Sequence, residues 1–204
     1  MNVFLLYAAF VGYLLGSLPF GYLVARAKGV NIFEVGSKSS GATNVRRVLG
    51  PGPGALVLFL DAAKGAAATS LIKVYDGDWH IYGLVGLLGA LIGHSFSCFT
   101  KFRGGKGVAT AAGGFLVLFP IGALVAAAVW GLTLAITRYV SLASMFAAVT
   151  LTVTAGLLHQ TPLMLGACAV VMVFVIIRHR ANISRLIAGT ENKIGQNKGG
   201  ADTP

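Results

Sequence analysis

Charge is scarce in this chain. Only 11% of its 204 residues are charged, and only 6 of them are acidic, whereas a soluble domain usually has about a quarter of its residues charged. That shortage argues against an ordinary globular domain in water. Cysteine is almost absent too. Cys98 and Cys168 both lie in apolar runs, so they read as small buried hydrophobes and exclude a disulfide framework. No CxxC or HExxH spacing occurs, which leaves a metal site without support. The N-terminal stretch lacks a basic region, and its apolar run is too long for a cleaved signal. It reads as a retained first span.

What the chain does have is hydrophobic residues, at 56%, and a mean hydropathy of +0.80. A transmembrane helix needs about 20 apolar residues. The runs that qualify, or nearly so, are 3–25, 52–75, 80–98, 107–119, 120–138, 142–158 and 162–178. Pro120 separates the fourth from the fifth because it cannot continue a helical hydrogen-bond ladder; one kinked segment there, giving six helices, is the rival count. The expected fold is therefore all-α: a polytopic bundle of about seven transmembrane helices in one domain, 1–198, with a flexible tail, 199–204.

The net charge of +10 fits nucleic acid, anionic lipid or an anionic substrate, and its placement discriminates. With seven helices and the N-terminus outside, one face receives Arg26, Lys28, Lys38, Arg46, Arg47, Lys101, Arg103, Lys106, Arg138, Arg178, Arg180, Arg185, Lys193 and Lys198. That is 14 of the 16 cations. Lys73 falls on the other side and Lys64 within a span. Basic short loops stay cytoplasmic, so the C-terminus is expected inside. One crossing fewer would set the basic tail opposite the basic loops. The cations thus belong to a membrane protein, and nucleic acid is not an expected partner.

Three clusters occupy that face. The first runs from Gly36 and Ser37 through Gly41, Thr43 and Asn44 to Arg47. Its small residues allow tight turns that aim N–H groups at an oxyanion. The second pairs His94 with Gly104-Gly105-Lys106-Gly107, at the mouth of a helix whose free N–H groups favour anions. It is not a P-loop: Thr100 stands where the first glycine belongs, and no Ser or Thr follows Lys106. The third runs from Arg178 through His179, Asn182 and Arg185 to Glu191. Taken singly, a flexible loop, a helix hinge and a lipid-facing juxtamembrane helix explain much of each. Together they describe one anion site at the inner membrane boundary. Asp61 and Lys64 stand at i and i+3 on one helix face; a proton relay and a packing pair both fit them. Gly83, Gly86 and Gly89 have close-packing spacing.

These residues resemble the bacterial acyl-phosphate:glycerol-3-phosphate acyltransferases, the PlsY family. The resemblance runs through Gly16-Ser17-Leu18-Pro19-Phe20-Gly21, Gly41-Ala42-Thr43-Asn44 with Arg47, Asp61-Ala62-Ala63-Lys64-Gly65, His94, the run from Gly104 to Thr110, and Arg178 to Lys193. Where the family usually has Gly-Ser-Gly-Asn, this chain has Gly36-Ser37-Lys38-Ser39. The resemblance implies transfer of a fatty acyl group from acyl phosphate to the 1-hydroxyl of glycerol 3-phosphate, giving lysophosphatidic acid and phosphate, in the bacterial inner membrane. It implies no cofactor, and the protein is expected to act as a monomer in the bilayer. The residues expected to carry the reaction are Ser37, Arg47, Lys106, His179, Asn182 and Glu191. Gly36, Gly41, Thr43, Asn44, His94, Gly104, Gly105, Gly107 and Ser144 are expected to line the substrates. There is no GxSxG elbow, and Phe99 replaces the acid of a His-x4-Asp pair, so direct attack by the glycerol hydroxyl is the expected route. Glu191 or a substrate phosphate oxygen could take its proton. A transporter for a phosphorylated solute and a lipid-binding scaffold remain as rival classes.

Overall fold

A computed structural model describes residues 3–70 and 79–195. Lys73, Lys198 and the tail 199–204 lie outside the described residues. Among these the architecture is all-helical: α1 (Val3–Ser17), α2 (Phe20–Arg26), α3 (Ala42–Leu49), α4 (Pro51–Ser70), α5 (Trp79–Ser95), α6 (Val108–Leu118), α7 (Pro120–Thr137), α8 (Val140–Leu157), α9 (Pro162–Arg178) and α10 (Arg180–Ile187). Helix leads each of the seven runs expected from hydropathy. The short α3 and α10 lie in the basic segments, where sequence reading set no helix.

Helix boundaries follow proline. Pro19 marks the break of the first run into α1 and α2, where the Leu18 carbonyl accepts from the Phe20 N–H at 3.1 Å in place of an i+4 partner. Pro120 and Pro162 each open a helix at its first turn, where the missing N–H costs nothing. The turn at Pro120 thus separates α6 from α7 as expected.

Four runs are long and apolar enough to cross a bilayer: Val3–Arg26, Trp79–Thr100, Pro120–Thr137 and Val140–Leu157. The pair Pro162–Arg178 and Arg180–Ile187, bent by 58°, makes a fifth if taken as one span. The 11 residues of α6 rise only about 16 Å at 1.5 Å each, short of the ~30 Å hydrocarbon core. α4 is long enough but carries buried Asp61 and Lys64. Much apolar surface faces outward, with Phe59 69%, Ile136 74% and Leu157 72% exposed. Such a surface suits lipid and not water.

The main core joins α5, α6, α8 and α9 through Leu87, Leu91, Phe115, Leu151, Cys168 and Val171. α1 packs most extensively on α5. A Cβ at Gly12 would strike the Gly86 backbone, and one at Gly89 would strike Ala9. The glycines of α5 therefore permit the close backbone approach that membrane helices use in place of hydrophobic drive. A smaller core of Ala25, Ile32, Phe33, Val45 and Val57 seats the first basic loop on α2, α3 and α4.

Candidate functional site

The C-terminal ends of α5, α7 and α9 meet the N-terminal ends of α6 and α8 around the basic segments. At His179 the chain leaves α9 and enters α10. Gly189 then takes φ +69°, and the chain folds back so that the Thr190 and Glu191 N–H groups donate to the Arg185 carbonyl. This return places the Glu191 carboxylate, 8% exposed, at the centre of a network. Its Oε1 accepts from Asn182 Nδ2 at 2.6 Å and from Ser141 Oγ at 2.9 Å. Its Oε2 accepts from Arg185 Nε at 2.7 Å. The other end of the Asn182 amide accepts from Lys106 Nζ at 2.5 Å. Beyond Glu191, the Ile194 N–H donates to the Arg138 carbonyl (2.9 Å), and Arg138 Nε donates back to the Ile194 carbonyl (3.0 Å).

The electrostatics follow from this crowding. Burial pulls the Lys106 ammonium down to about 8; Glu191 opposes the shift, and Arg185, Arg47 and Arg178 reinforce it. Burial and the Lys106 charge pull His179 down to about 4, so its ring is neutral at pH 7. Its Nδ1 lies 2.8 Å from the Val175 carbonyl. That oxygen can only accept, so Nδ1 bears the proton and Nε2 keeps its lone pair. Burial pushes Glu191 up, but the bonds from Asn182, Ser141 and Arg185 outweigh it and hold the carboxyl below its ordinary value.

The loop before α6 brings Lys106 in. The Gly105 N–H donates to the His94 carbonyl at 3.1 Å, and the Gly105 carbonyl accepts from Arg178 at 2.8 Å. Gly107 opens α6 at φ +81°, a conformation suited to glycine. Gly104 and Gly105 press against His94 so closely that a Cβ on either would overlap it. His94, 6% exposed, turns its ring towards Asp61, with Nδ1 3.5 Å from Oδ1, and it makes no bond with Asn182 or Glu191.

The first cluster is organised by Asn44, which is 1% exposed. Its Oδ1 accepts from the Ser37 N–H at 2.8 Å, and its Nδ2 faces the carbonyls of Ile32, Val35 and Ser39 at 3.3, 3.2 and 2.9 Å. Asn44 thus ties the loop together, with both ends of its amide bonded to loop backbone. A Cβ at Gly36 (φ +59°) would overlap Asn44 Oδ1. Ser37 is exposed at the loop surface, its hydroxyl 3.4 Å from that of Ser39. Gly41 stands at the start of α3 with no side-chain cap. Arg47 lies near enough to Glu191 and Arg185 to feel both charges. Thr43 lines a separate cavity of about 140 Å³ with Arg46, Leu58, Trp130 and Ile194.

Among the expected residues, Lys106, Asn182 and Glu191 are joined directly, with Arg47 and His179 within electrostatic reach. Ser144 donates to the Val140 carbonyl at 2.8 Å and accepts from Trp130 Nε1 at 3.3 Å. The serine that meets Glu191 is Ser141, one turn earlier, and nothing in the local sequence distinguishes the two. Arg185 also holds a more specific place than its membership of a basic run suggested. Ser37, Gly36 and Gly41 make no described contact with the Lys106–Asn182–Glu191 chain. Among the described residues, no group of three His, Cys, Asp or Glu side chains is arranged to hold a metal.

Fold and site together define a helical membrane protein with a cation-lined polar site where its helix ends converge. The family model for glycerol-3-phosphate acyltransferase matches residues 6–189. Among curated relatives, the glycerol-3-phosphate acyltransferase of Synechococcus sp. (strain JA-3-3Ab) is 49% identical over 194 residues, 94% of each chain. That of Fusobacterium nucleatum is 42% identical, covering 89% of this chain and 93% of its own. Among solved structures, the glycerol 3-phosphate form of PlsY, an integral membrane glycerol 3-phosphate acyltransferase, superposes with a TM-score of 0.88 at 38% identity over 94% of this chain and 96% of its own. Its lysophosphatidic acid form gives a TM-score of 0.84. The chain belongs to the glycerol-3-phosphate acyltransferase family.

Proposed function

We propose that this protein transfers a fatty acyl group from acyl phosphate to the 1-hydroxyl of glycerol 3-phosphate, releasing lysophosphatidic acid and phosphate. The observation that carries the reading is the chain Lys106–Asn182–Glu191–Arg185, set where an apolar bundle meets its basic segments. Both substrates are anionic at one end, and one has an acyl tail that belongs in lipid. Fixed cations and amide donors at that boundary suit both.

The hydroxyl oxygen attacks the acyl carbon, the bond from that carbon to the phosphate oxygen breaks, and phosphate leaves. Lys106 and Arg47 counter the charge that develops on the leaving phosphate. Ser37 and the glycines of both loops add donors at its edge. His179 Nε2 accepts from the neighbouring 2-hydroxyl of glycerol 3-phosphate, and Asn182 aligns the acceptor, which leaves the proton of the 1-hydroxyl free to move. Three donors already satisfy Glu191, and its pKa is lowered. It is therefore a poor proton acceptor, and a substrate phosphate oxygen takes the hydroxyl proton. Glu191 instead holds Asn182 and Arg185 in place.

The proposed setting is the bacterial cytoplasmic membrane, with seven crossings, the N-terminus outside, the site facing the cytoplasm, and a monomer as the working unit. Residues 1–198 form the single domain of this reading. The ends of α5, α7 and α9 on the site side support this orientation, since α9 then leads the C-terminal segment out on the same side as the site. The test is reconstitution of purified protein in lipid with glycerol 3-phosphate and, separately, palmitoyl phosphate, palmitoyl-CoA and palmitoyl acyl carrier protein. Lysophosphatidic acid from acyl phosphate alone is expected. Turnover only with a thioester donor would overturn the donor assignment.

A further inference from the structure

Three buried polar side chains lie outside this mechanism. Asp61 and Lys64, 2% and 5% exposed, share one face of α4 with Lys64 Nζ 2.8 Å from Asp61 Oδ1. An ion pair whose only task is to join helices can close on itself, and this one does not. Lys64 Nζ lies 5.6 Å from the Phe20 ring centre and also donates to the Leu18 carbonyl at 2.9 Å, which lies at the break in the first run and accepts from the Phe20 N–H as well. On its other side Asp61 Oδ1 faces His94 Nδ1 at 3.5 Å. That approach is longer than a direct hydrogen bond, and His94 Nδ1 has no other partner. The Asp61 carboxylate is thus the polar group that Nδ1 of the imidazole faces.

His94 in turn bears on the Lys106 loop in two ways. Its carbonyl accepts the Gly105 N–H, and its ring edge at Nε2 occupies the space where a Gly105 Cβ would stand. Between Arg103 and α6 the loop backbone has two described anchors, His94 on one side and Arg178 on the other. Lys106 is the next residue, and its ammonium must meet Asn182. A continuous line of contacts thus leads from the break in the first helix run, through Lys64, Asp61 and His94, to Lys106.

Resting on the transferase reading above, we propose that Asp61 is a positioning residue for the reaction: acting through His94, it sets the Gly104–Gly105 backbone and so aligns Lys106 with Asn182, without touching substrate. The close approach of Gly104 and Gly105 is explained by His94, not only by a need for free N–H groups. Lys106 counters the charge on the leaving phosphate in the proposed mechanism, so its misplacement falls on the chemical step and not on capture of glycerol 3-phosphate.

The test compares steady-state kinetics and thermal unfolding in detergent for wild type, D61N/K64M, H94A, G105A and H94A/G105A. The paired substitution at 61 and 64 removes both buried charges together and so preserves folding better than either change alone. It is expected to lower kcat at least tenfold, KM for glycerol 3-phosphate changing less than threefold, since a misplacement of about 1 Å near a reacting centre costs about a hundredfold in rate. G105A is expected to lose more activity than H94A/G105A, because removing the ring vacates the space the new methyl needs. An unchanged kcat in folded D61N/K64M, or strictly additive losses in the His94 and Gly105 variants, would overturn the proposal while leaving the transferase reading intact. If D61N/K64M does not fold, the His94–Gly105 cycle decides alone. A folded wild type without turnover would contradict the transferase reading, and this proposal with it.

Discussion

Lys106 and Asn182 stand 76 positions apart in the chain, yet the lysine ammonium donates to the asparagine carbonyl at 2.5 Å. The opposite end of that amide donates to Glu191. The amide is polarised by a cation on its oxygen and an anion beyond its nitrogen, which fixes its orientation without ambiguity. The second and third basic clusters are thereby one site.

The first prediction concerns Glu191. Loss of a general base costs about 10²–10⁴-fold. Glu191→Gln keeps an oxygen for Asn182 and Ser141, and it is expected to lower kcat by less than about a hundredfold. Glu191→Ala, which strands Asn182 and Arg185, is expected to be worse. Steady-state rates check both. A loss above a thousandfold in Glu191→Gln with acceptor binding unchanged would make Glu191 the base.

The second concerns pH. A Lys106 with its pKa near 8 is a cation below that value and neutral above it. If the cation holds phosphate, kcat/KM falls as pH rises through about 8, and Lys106→Arg moves that limb to higher pH. For stability the sense is opposite. Folding depresses this pKa from 10.5, so protonation opposes folding below about 8, and that penalty is relieved as pH rises from 8 towards 10.5. His179, lowered to about 4 from 6.5, contributes stability that is present above 6.5 and is lost as pH falls from 6.5 to 4. Activity and unfolding profiles across pH 4 to 10 therefore separate the two residues.

The third concerns Lys38. It adopts φ +55°, in the left-handed region, at the position where the resembling family usually has glycine. A non-glycine residue there costs roughly 1–2 kcal/mol. Lys38→Gly relieves that cost while loosening the unfolded chain, for an expected net gain of about 0.5–1 kcal/mol. Thermal unfolding in detergent reads it, and a loss of stability would show that the lysine side chain has a compensating contact.

Much of this was legible in the sequence because membrane helices advertise themselves by hydropathy and proline marks their ends. Pro120 is the clear case: it separates α6 from α7 where a single kinked helix was the alternative. The basic runs also pointed to Lys106, Asn182 and Glu191. What sequence could not give was orientation. Asn44 reads like a ligand residue, and its four bonds to the loop backbone show only in the fold. Ser144 and Ser141 share a helix and a chemistry, and only the return of the chain at Gly189 selects Ser141. The break at Leu18-Pro19 was visible as a proline, but that Lys64, 46 positions on, donates to the carbonyl at the break shows only in the fold.

The fourth concerns topology. Cys98 is exposed in the segment between α5 and α6, whereas Cys168 is buried. A membrane-impermeant thiol reagent is expected to label Cys98 in inverted vesicles and not in intact cells. Labelling from outside intact cells would reverse the proposed orientation.

The central claim is that Lys106 holds the phosphate of a working acyltransferase. The most direct measurement is phosphate release by purified protein in lipid with palmitoyl phosphate and glycerol 3-phosphate, beside folded Lys106→Ala. The account predicts release that requires both substrates, yields lysophosphatidic acid in equal amount, and falls at least a hundredfold in the variant, the scale of one electrostatic donor lost from such a site. Near-normal release by Lys106→Ala would contradict it.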